Sequence, residues 1–397
     1  MKRDVQMGIL VAVLALLVLA AGIAAAATWP ANPPTLPAKG GTFADPSWGT
    51  LMMRITDASD GKDNTVAYSY WPTFAKDNLH FFIACAGVPY LYHLDPVGFH
   101  LVGNKTPLFA SYPPGETRNP GWQDTIWSGV NANEVLCHGR YLKLYSYNVE
   151  TGAWTTLHDF AGQTTAYSLW QMSRSLDDDV FAFTLTASNG SKVGYMVWKR
   201  STNQILLQVM DATGLDEVQL DKTGRYLLAK KASGGYESYV YDLQLGTSTG
   251  LTDGAPDYGP GHSDNGTGTC FGAENWLNRE LLRSLATPHQ FTVMLDHGND
   301  WSQDLHTSFL ADNETMALLS SYDYGHFQSP DNYLRQEVYQ VVLDGTQTVH
   351  HICHHYTNAG RNYWGSPRAN ISRNGQFVAF TSNWGGQQRD VFIAKVF

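Results

Sequence analysis

The stretch 366-SPRANISRNGQFVAFTSNW-384 decides the fold of this chain. It has the pattern of a short strand, a tight turn at 372–375 and a second strand with alternating apolar residues. Asn and Gly in such a turn provide the backbone conformations that a two-stranded hairpin requires. The same pattern starts earlier in the chain at Trp71, Ile126, Leu169, Asp216 and Asp304. The chain is therefore built from a repeated β-hairpin unit.

Each repeated unit extends beyond its hairpin. Most copies continue into a third strand with its own turn, as in 237-ESYVYDLQLG-246 and 337-EVYQVVLDGTQ-347. The copies follow one another at intervals of roughly 40 to 60 residues, near the length of a propeller blade. A seventh, irregular copy begins at Gly261, and the sequence shows no helical periodicity of any length. We predict an all-β fold, a seven-bladed β-propeller. The alternative, a β-sandwich or a two-domain β protein, would not repeat these turns at this interval.

The segment before the first copy predicts how the ring closes. Residues 50–57 (TLMMRITD) have the pattern of an outer blade strand. We expect this strand to pair with the last blade, because closure of the ring leaves no free sheet edge.

The N-terminal region predicts export. Residues 1–27 resemble a signal peptide, with Lys2 and Arg3 before an apolar run and small residues up to Ala27. The run is slightly long, so an uncleaved N-terminal anchor is the alternative. Residues 28–45 are Pro-rich and are assigned to a linker, and residues 46–397 to the propeller. We therefore expect a secreted or periplasmic protein with no stable membrane span after cleavage of the signal.

The composition limits the classes of partner. The net charge is −10 and no Lys/Arg block is present, which argues against a nucleic-acid partner. An acidic substrate would need a local cationic site, because the overall charge repels it. Aromatic residues make up 13% of the chain, including 12 Trp, as in many sugar-handling β proteins and many propellers. The four cysteines allow three disulfide pairings, and no CxxC motif is present.

The first strand of each blade lines the central channel, so residues at the start of each copy should lie near one mouth. The residues at equivalent positions are Trp71, Trp127, Leu169, Glu217, His306 and Arg368, with His262 at the start of the irregular copy. Three consecutive blades would thus bring His262, His306 and Arg368 together. Imidazoles from separate blades can bind a divalent metal or act as acid and base, or they can form a hydrogen-bonded core.

Other residues near the same mouth have alternative interpretations. His354 and His355 precede a loop that is able to fold over the mouth, whereas His350 and His351 alternate on a strand, so one of them should face solvent. Trp71 and Trp127 serve either in packing or as sugar platforms. Arg368 either binds an anion or pairs with an acid such as Glu217. The candidate substrate contacts are Trp71, Trp127 and Glu217.

The His-bearing segments 261-GHSD-264, 305-LHTSF-309 and 352-ICHHYT-357, together with the closing hairpin, carry a family resemblance. Over most of residues 50–397 the chain resembles the WD40-like (PD40) periplasmic β-propellers of the TolB type and, within them, the oligogalacturonate lyases. This resemblance implies a His-rich manganese site at the channel mouth and cleavage of uronic-acid oligomers by β-elimination. The candidate metal ligands that it implies are His262, His306, His354 and His355. Calcium and zinc are the alternative metals.

β-Elimination removes the proton next to a carboxylate, and this proton is weakly acidic until the carboxylate is neutralised. A metal or an arginine stabilises the charge that develops, and a nearby base takes the proton. The candidates are Arg368 and Arg361 for the anion and Tyr363 as the proton carrier, acting on an acidic oligosaccharide. The alternative is a non-catalytic binding or assembly platform whose partner is another exported protein. A glycosidase ranks last, because Glu217 is the only acid at the aligned channel positions.

Overall fold

The computed structural model describes residues 33–232, 237–301, 304–322, 334–357 and 363–396. The predicted signal peptide, residues 1–27, lies outside them. The described residues form seven antiparallel sheets that follow one another along the chain as the blades of a ring. The predicted all-β, seven-bladed propeller is therefore confirmed. The other regular elements in this part of the chain are short 3₁₀ turns at Ala58–Asp60, Trp122–Asp124 and Tyr363–Gly365.

The strands of the first three blades follow in chain order after two N-terminal strands. The N-terminal strands are β1 (Thr42–Ala44) and β2 (Leu51–Arg54). Blade 1 contains β3 (Asn64–Thr65), β4 (His80–Cys85), β5 (Val88–Asp95), β6 (His100–Leu101) and β7 (Thr106–Pro107). Blade 2 contains β8 (Thr125–Trp127), β9 (Glu134–His138), β10 (Lys143–Asn148) and β11 (Trp154–Asp159). Blade 3 contains β12 (Ser168–Arg174), β13 (Val180–Thr186), β14 (Lys192–Lys199) and β15 (Gln204–Val209).

The remaining blades repeat the same order of strands. Blade 4 contains β16 (Leu215–Leu220), β17 (Tyr226–Lys231), β18 (Ser238–Asp242) and β19 (Thr247–Leu251). Blade 5 contains β20 (Pro260–Asn265), β21 (Thr269–Glu274), β22 (Arg279–Ser284) and β23 (Phe291–Asp296). Blade 6 contains β24 (Asp304–Ser308), β25 (Met316–Tyr322), β26 (Glu337–Val342) and β27 (Val349–His354). Blade 7 contains β28 (Asn370–Ile371), β29 (Phe377–Ser382) and β30 (Asp390–Lys395).

The N-terminal strands close the ring. β2 pairs with β30 and β1 pairs with β2, so that blade 7 combines strands from distant parts of the chain. Arg54 donates to the Asp390 carboxylate at 2.7 Å across this joint. The predicted closing strand is confirmed, and β1 lies within the segment 28–45 that the sequence assigned to the linker.

The core is divided among the gaps between blades. Seven clusters of buried apolar residues each join two neighbouring sheets, as in the cluster of Phe74, Phe81 and Phe377 between blades 1 and 7. The cluster between blades 4 and 5 is the smallest, with six buried residues around Leu228 and Cys270. This gap also holds buried charged side chains, which matter for the site described below.

The tight turns hold neighbouring blades together as well as reversing the chain. Gly224, in the turn between β16 and β17, has a φ of +71°. A Cβ atom there would lie 2.8 Å from the Cβ of Ser175 in blade 3. Glycine is thus required both by the left-handed conformation and by the close approach of the next blade.

Two further observations concern cysteines and membranes. All four cysteines are buried and none is in a disulfide; they are Cys85, Cys137, Cys270 and Cys353. Among the described residues no helix has both the length and the apolar character needed to cross a bilayer.

Candidate functional site

The first strands of the blades all run from one face of the ring to the other. The face where they begin, here called the mouth face, carries the predicted site residues. The opposite face, here called the turn face, carries the turns that join first to second and third to fourth strands. A cavity of about 70 Å³ lies between these faces, with Tyr70 and Glu217 at one end and the turn residues Lys222 and Arg373 at the other.

An irregular segment between β3 and β4 crosses the channel at the mouth face. The ring of Tyr68 contacts His306 of blade 6 edge-on, with ring centroids 5.1 Å apart. The Tyr70 hydroxyl donates to the Glu217 carboxylate of blade 4. Tyr68 and Tyr70 also contact each other at 4.7 Å. Blade 1 therefore supplies two half-buried tyrosines that connect opposite sides of the site.

His262 and His306 form a stacked pair on adjacent inner strands. Their ring centroids are 4.8 Å apart and the rings are inclined by 18°. The Nδ1–H group of His262 donates to the Leu305 carbonyl at 2.6 Å and lies 3.4 Å from the Asp304 carboxylate. Asp304 also accepts from the Tyr322 hydroxyl at 2.8 Å. The structure therefore brings these two predicted residues together and fixes the orientation of His262.

The pKa values of the two histidines are shifted in opposite directions. Burial would lower the pKa of His262, but its hydrogen bond to Asp304 and the charge of that carboxylate raise it above the ordinary value. Burial and the positive charge of His262 hold the pKa of His306 well below its ordinary value. His262 is one-third exposed and His306 is buried. Hence a neutral imidazole lies behind a solvent-accessible one, next to a carboxylate.

Glu217 belongs to a buried ion pair at the edge of the same site. It pairs with Lys230, which faces it directly across the β16–β17 ladder. The Lys230 ammonium also donates to the Gly261 carbonyl at 3.1 Å and the Ser263 hydroxyl at 3.4 Å. Burial would lower the pKa of Lys230, but the charge of Glu217 raises it. This pair occupies the gap between blades 4 and 5, where the apolar cluster is smallest.

Arg368 lies beneath an aromatic cover. Its guanidinium is fully buried and donates to the Thr65 hydroxyl at 2.6 Å and the Trp364 carbonyl at 2.9 Å. The guanidinium carbon is 4.8 Å from the centre of the Trp364 ring, and Trp364 itself is 39% exposed. Arg368 therefore contributes positive charge close to His306, while Trp364 presents the aromatic surface.

Trp71 and Trp127 are core residues. Trp71 is 6% exposed and donates its indole N–H to the Met172 carbonyl at 3.0 Å. Trp127 is 1% exposed and donates to the Thr73 carbonyl at 2.9 Å. Neither ring offers the exposed face that stacking on a sugar requires, because both fill gaps between blades. The exposed tryptophan next to the predicted residues is Trp364. The comparison of equivalent residues at the start of each repeat did not predict it.

The run of histidines at 350–355 binds the N-terminal segment of the chain. Asp45 accepts a hydrogen bond from the backbone N–H of His354 at 2.9 Å, and it lies 3.3 Å from Nδ1 of the same residue. The Nε2 atom of His354 is 3.4 Å from Glu337. Trp48 stacks on His351 with ring centroids 4.1 Å apart. The structure thus places His354 on the outer strand of blade 6, whereas His262 and His306 lie on inner strands.

His355 has both ring nitrogens in hydrogen bonds. Nε2–H donates to the Ser321 carbonyl at 2.6 Å, and Nδ1 accepts from the Thr357 N–H at 3.1 Å. Burial and the charge of His354 lower the pKa of His355 to about 3. These contacts fix it as a neutral structural imidazole.

As predicted, one of the pair His350 and His351 faces solvent, and it is His350. Arg361 lies outside the described residues, and Tyr363 is described only for its backbone.

The charge of His354 predicts a pH-dependent stability. Burial would lower its pKa, but hydrogen bonds to Asp45 and Glu337 raise it to about 9, from 6.5 in the unfolded chain. A group whose pKa is higher in the folded than in the unfolded chain contributes its full stabilisation below pH 6.5. This contribution is lost as the pH rises through about 9. We expect about 3 kcal/mol of unfolding free energy to disappear over this range. This loss is measured by denaturant unfolding at several pH values, on the wild type, His354→Gln and the exposed control His350→Gln. Equal pH slopes in His354→Gln and wild type would contradict the assignment.

A second histidine cluster, which the sequence analysis did not predict, lies on the turn face. His80, His93 and Glu150 bring one potential ligand atom each within 4.8 Å of the others, and they are the one such group found in the described part of the chain. The pairing of His80 with His93 could have been predicted from the sequence. The two-residue turn at Ala86 and Gly87, with positive φ at both positions, sets a register that pairs His80 with His93.

Comparison with known proteins supports the fold. No protein-family model and no curated protein matches the sequence. An oligogalacturonate lyase from Vibrio parahaemolyticus superimposes with a TM-score of 0.61 at 12% identity, covering 91% of this chain and 99% of its own. An oligogalacturonate lyase in complex with manganese gives a TM-score of 0.64 at 12% identity, covering 93% of this chain and 99% of its own. The predicted resemblance to the oligogalacturonate lyases is thus confirmed for the seven-bladed architecture of this chain.

Proposed function

We propose that this protein is a lyase-type propeller that cleaves an acidic oligosaccharide by β-elimination at the mouth face. The observation that carries the proposal is the stacked pair of His262 and His306, with Asp304 and the buried charge of Arg368 beside it. This arrangement places two imidazoles and a guanidinium in one partly open site of an otherwise acidic protein. The fold shared with two oligogalacturonate lyases supports the same conclusion.

The residues of the pair fit a divalent metal in donor type. Nδ1 of His262 is committed to the Leu305 carbonyl, so its other nitrogen is the one that can bind a metal. His306 is kept neutral, as a metal ligand must be. His262 and His306 would hold the ion, and Asp304 would orient His262. A bound manganese ion, or zinc or calcium in its place, would supply charge that neutralises the substrate carboxylate.

The remaining steps fall to side chains of the chain itself. The positive charge of Arg368 lies behind the pair and favours an anionic substrate at the mouth. Trp364 offers an exposed ring next to Arg368 on which a sugar can stack. Tyr68, half-buried and in contact with His306, would act as a phenolate and accept the proton that β-elimination releases. Tyr363, predicted from the sequence for this role, remains the alternative proton carrier.

The test is direct. Purified protein should convert oligogalacturonate, ulvan or alginate oligomers, in the presence of Mn²⁺, into unsaturated products that absorb in the ultraviolet. His306→Ala should abolish the absorbance increase, because it removes one of the two stacked imidazoles, while the exposed control His350→Ala should leave it unchanged. Absence of product from all three substrates, with and without the metal, would refute the proposed activity.

A non-catalytic binding or assembly platform is the second candidate. Several charged groups near the mouth are already paired within the chain, as Glu217 is with Lys230 and His354 with Asp45. Paired groups of this kind stabilise the fold without performing chemistry. A platform would bind its partner equally well after His306→Ala. A pull-down that compares the wild type with His306→Ala therefore separates a binding platform from a lyase.

A further inference from the structure

The turn face carries a group of side chains that the proposed activity does not use. His80 begins β4 and His93 lies opposite it in β5, with ring centroids 4.9 Å apart. Glu150 comes from the turn after β10 in blade 2, and its carboxylate oxygen lies 3.0 Å from Nε2 of His80. The cluster therefore joins two blades, on the face opposite the His262–His306 pair.

A second carboxylate lies near the other ring nitrogen of His80. The residue is buried, with only 7% of its surface exposed, and Nδ1 lies 3.7 Å from the Asp77 carboxylate. Asp77 is itself held by the N–H of Leu79, which donates to it at 2.9 Å. With Nδ1 directed toward Asp77, Nε2 of His80 points to the space shared with His93 and Glu150. Metal-binding histidines commonly have a carboxylate beside the second ring nitrogen in this way.

We propose that His80, His93 and Glu150 form a binding site for a divalent transition metal of the zinc class, which links blades 1 and 2 on the turn face. Two imidazole nitrogens and one carboxylate oxygen are the donor set that zinc, cobalt and nickel prefer, whereas calcium and magnesium prefer sites made entirely of oxygen. In the metal-free protein, the Nε2–H group of His80 donates to Glu150. Metal binding at Nε2 requires the tautomer with its proton on Nδ1, so that proton moves from Nε2 to Nδ1, beside Asp77, and Glu150 becomes a metal ligand.

The side-chain exposure across the cluster explains how an ion reaches it. His80 is buried, His93 is partly buried and the Glu150 side chain is 49% exposed. His80 therefore provides a ligand fixed in the interior, and the exposed Glu150 side chain can adjust when the ion enters from solvent. Because the ligands come from two blades, the bound ion should also oppose separation of these blades and so raise the melting temperature.

Metal titration of the full chain tests the proposal. The protein is stripped with a chelator in the His306→Ala background, which disables the stacked pair at the mouth, and is titrated with Co²⁺ followed by Zn²⁺. We expect about one equivalent of Co²⁺ with a visible absorption band of low-coordinate cobalt, displaced by Zn²⁺, and a Zn²⁺-dependent rise in melting temperature. Glu150→Gln and His93→Gln should weaken binding at least 10-fold, and Asp77→Asn should weaken it about 10- to 100-fold.

The controls separate this site from nonspecific binding and from the mouth. His100→Gln alters an exposed histidine on the neighbouring strand β6 and should leave the titration unchanged. Since Glu150 is half-exposed, Glu150→Gln should fold normally, which circular dichroism checks. Equal Zn²⁺ affinity in Glu150→Gln, His93→Gln and their parent would overturn the proposal, and so would the absence of stoichiometric binding. Neither result depends on lyase activity.

Discussion

Replacing Lys230 with methionine is expected to lower the free energy of unfolding by about 3–5 kcal/mol. The change leaves the Glu217 carboxylate buried without its cation, in the gap between blades 4 and 5. Removal of one member of a buried pair costs far more than the pair contributes, because the remaining charge stays out of water. Chemical denaturation of the wild type and Lys230→Met, monitored by tryptophan fluorescence, measures the loss.

A double mutant distinguishes this explanation from a simple loss of packing. Glu217→Gln combined with Lys230→Met removes the uncompensated charge, and the new amide oxygen would still accept a hydrogen bond from the Tyr70 hydroxyl. The double variant should therefore recover most of the stability lost in the single variant. Lys143→Met removes the exposed partner of Asp159 and should have little effect. A double mutant as unstable as Lys230→Met would show that packing, and not the buried charge, explains the loss.

Replacing Tyr68 with phenylalanine should lower kcat by about 10²- to 10⁴-fold with little change in KM, the usual effect of removing a general base. The substitution removes one hydroxyl and keeps the ring that contacts His306. The measurement is steady-state formation of unsaturated product on whichever uronic-acid oligomer the protein cleaves, together with the melting temperature as a check on folding.

Two other tyrosines serve as comparisons for this variant. Tyr70→Phe removes the hydroxyl that donates to Glu217, and should reduce stability more than kcat. Tyr363→Phe tests the proton carrier that the sequence suggested. If Tyr68→Phe keeps full activity and Tyr363→Phe loses it, the loop after β27 supplies the base, and Tyr68 only packs against His306.

The repeat could be predicted from sequence because the hairpin signals are local. Turn residues and alternation located every blade, including the irregular one that begins near Gly261, where β20 runs over Pro260–Asn265. The same alignment placed His262 and His306 on adjacent inner strands, where they stack. The sequence suggested Arg368 as the partner of Glu217, whereas the structure pairs Glu217 with Lys230, which the register of β16 and β17 places opposite it.

Other parts of the site depend on contacts between blades, which leave no local signal. The segment that carries Tyr68 and Tyr70 departs from a regular strand, so periodicity cannot show that it crosses the channel. Trp71 and Trp127 begin their repeats as predicted, yet their rings turn into the gaps between blades. Likewise the position of Glu150 beside His80 follows from the packing of blades 1 and 2, although the His80–His93 register was readable.

The closure of blade 7 has a consequence for synthesis of the protein. Arg54 and Asp390, which pair across the joint, are 336 residues apart in sequence. On the ribosome β2 emerges early, and its partner β30 is made near the end. Contacts over such long separations form slowly, because the intervening chain must first be ordered. Until then β2 is an open sheet edge that can pair with other chains, and β29 becomes a second one only shortly before β30 is made. A nascent chain of this protein is thus exposed to aggregation for almost the whole of its translation, and a chaperone that covers strand edges would have a long period in which to act.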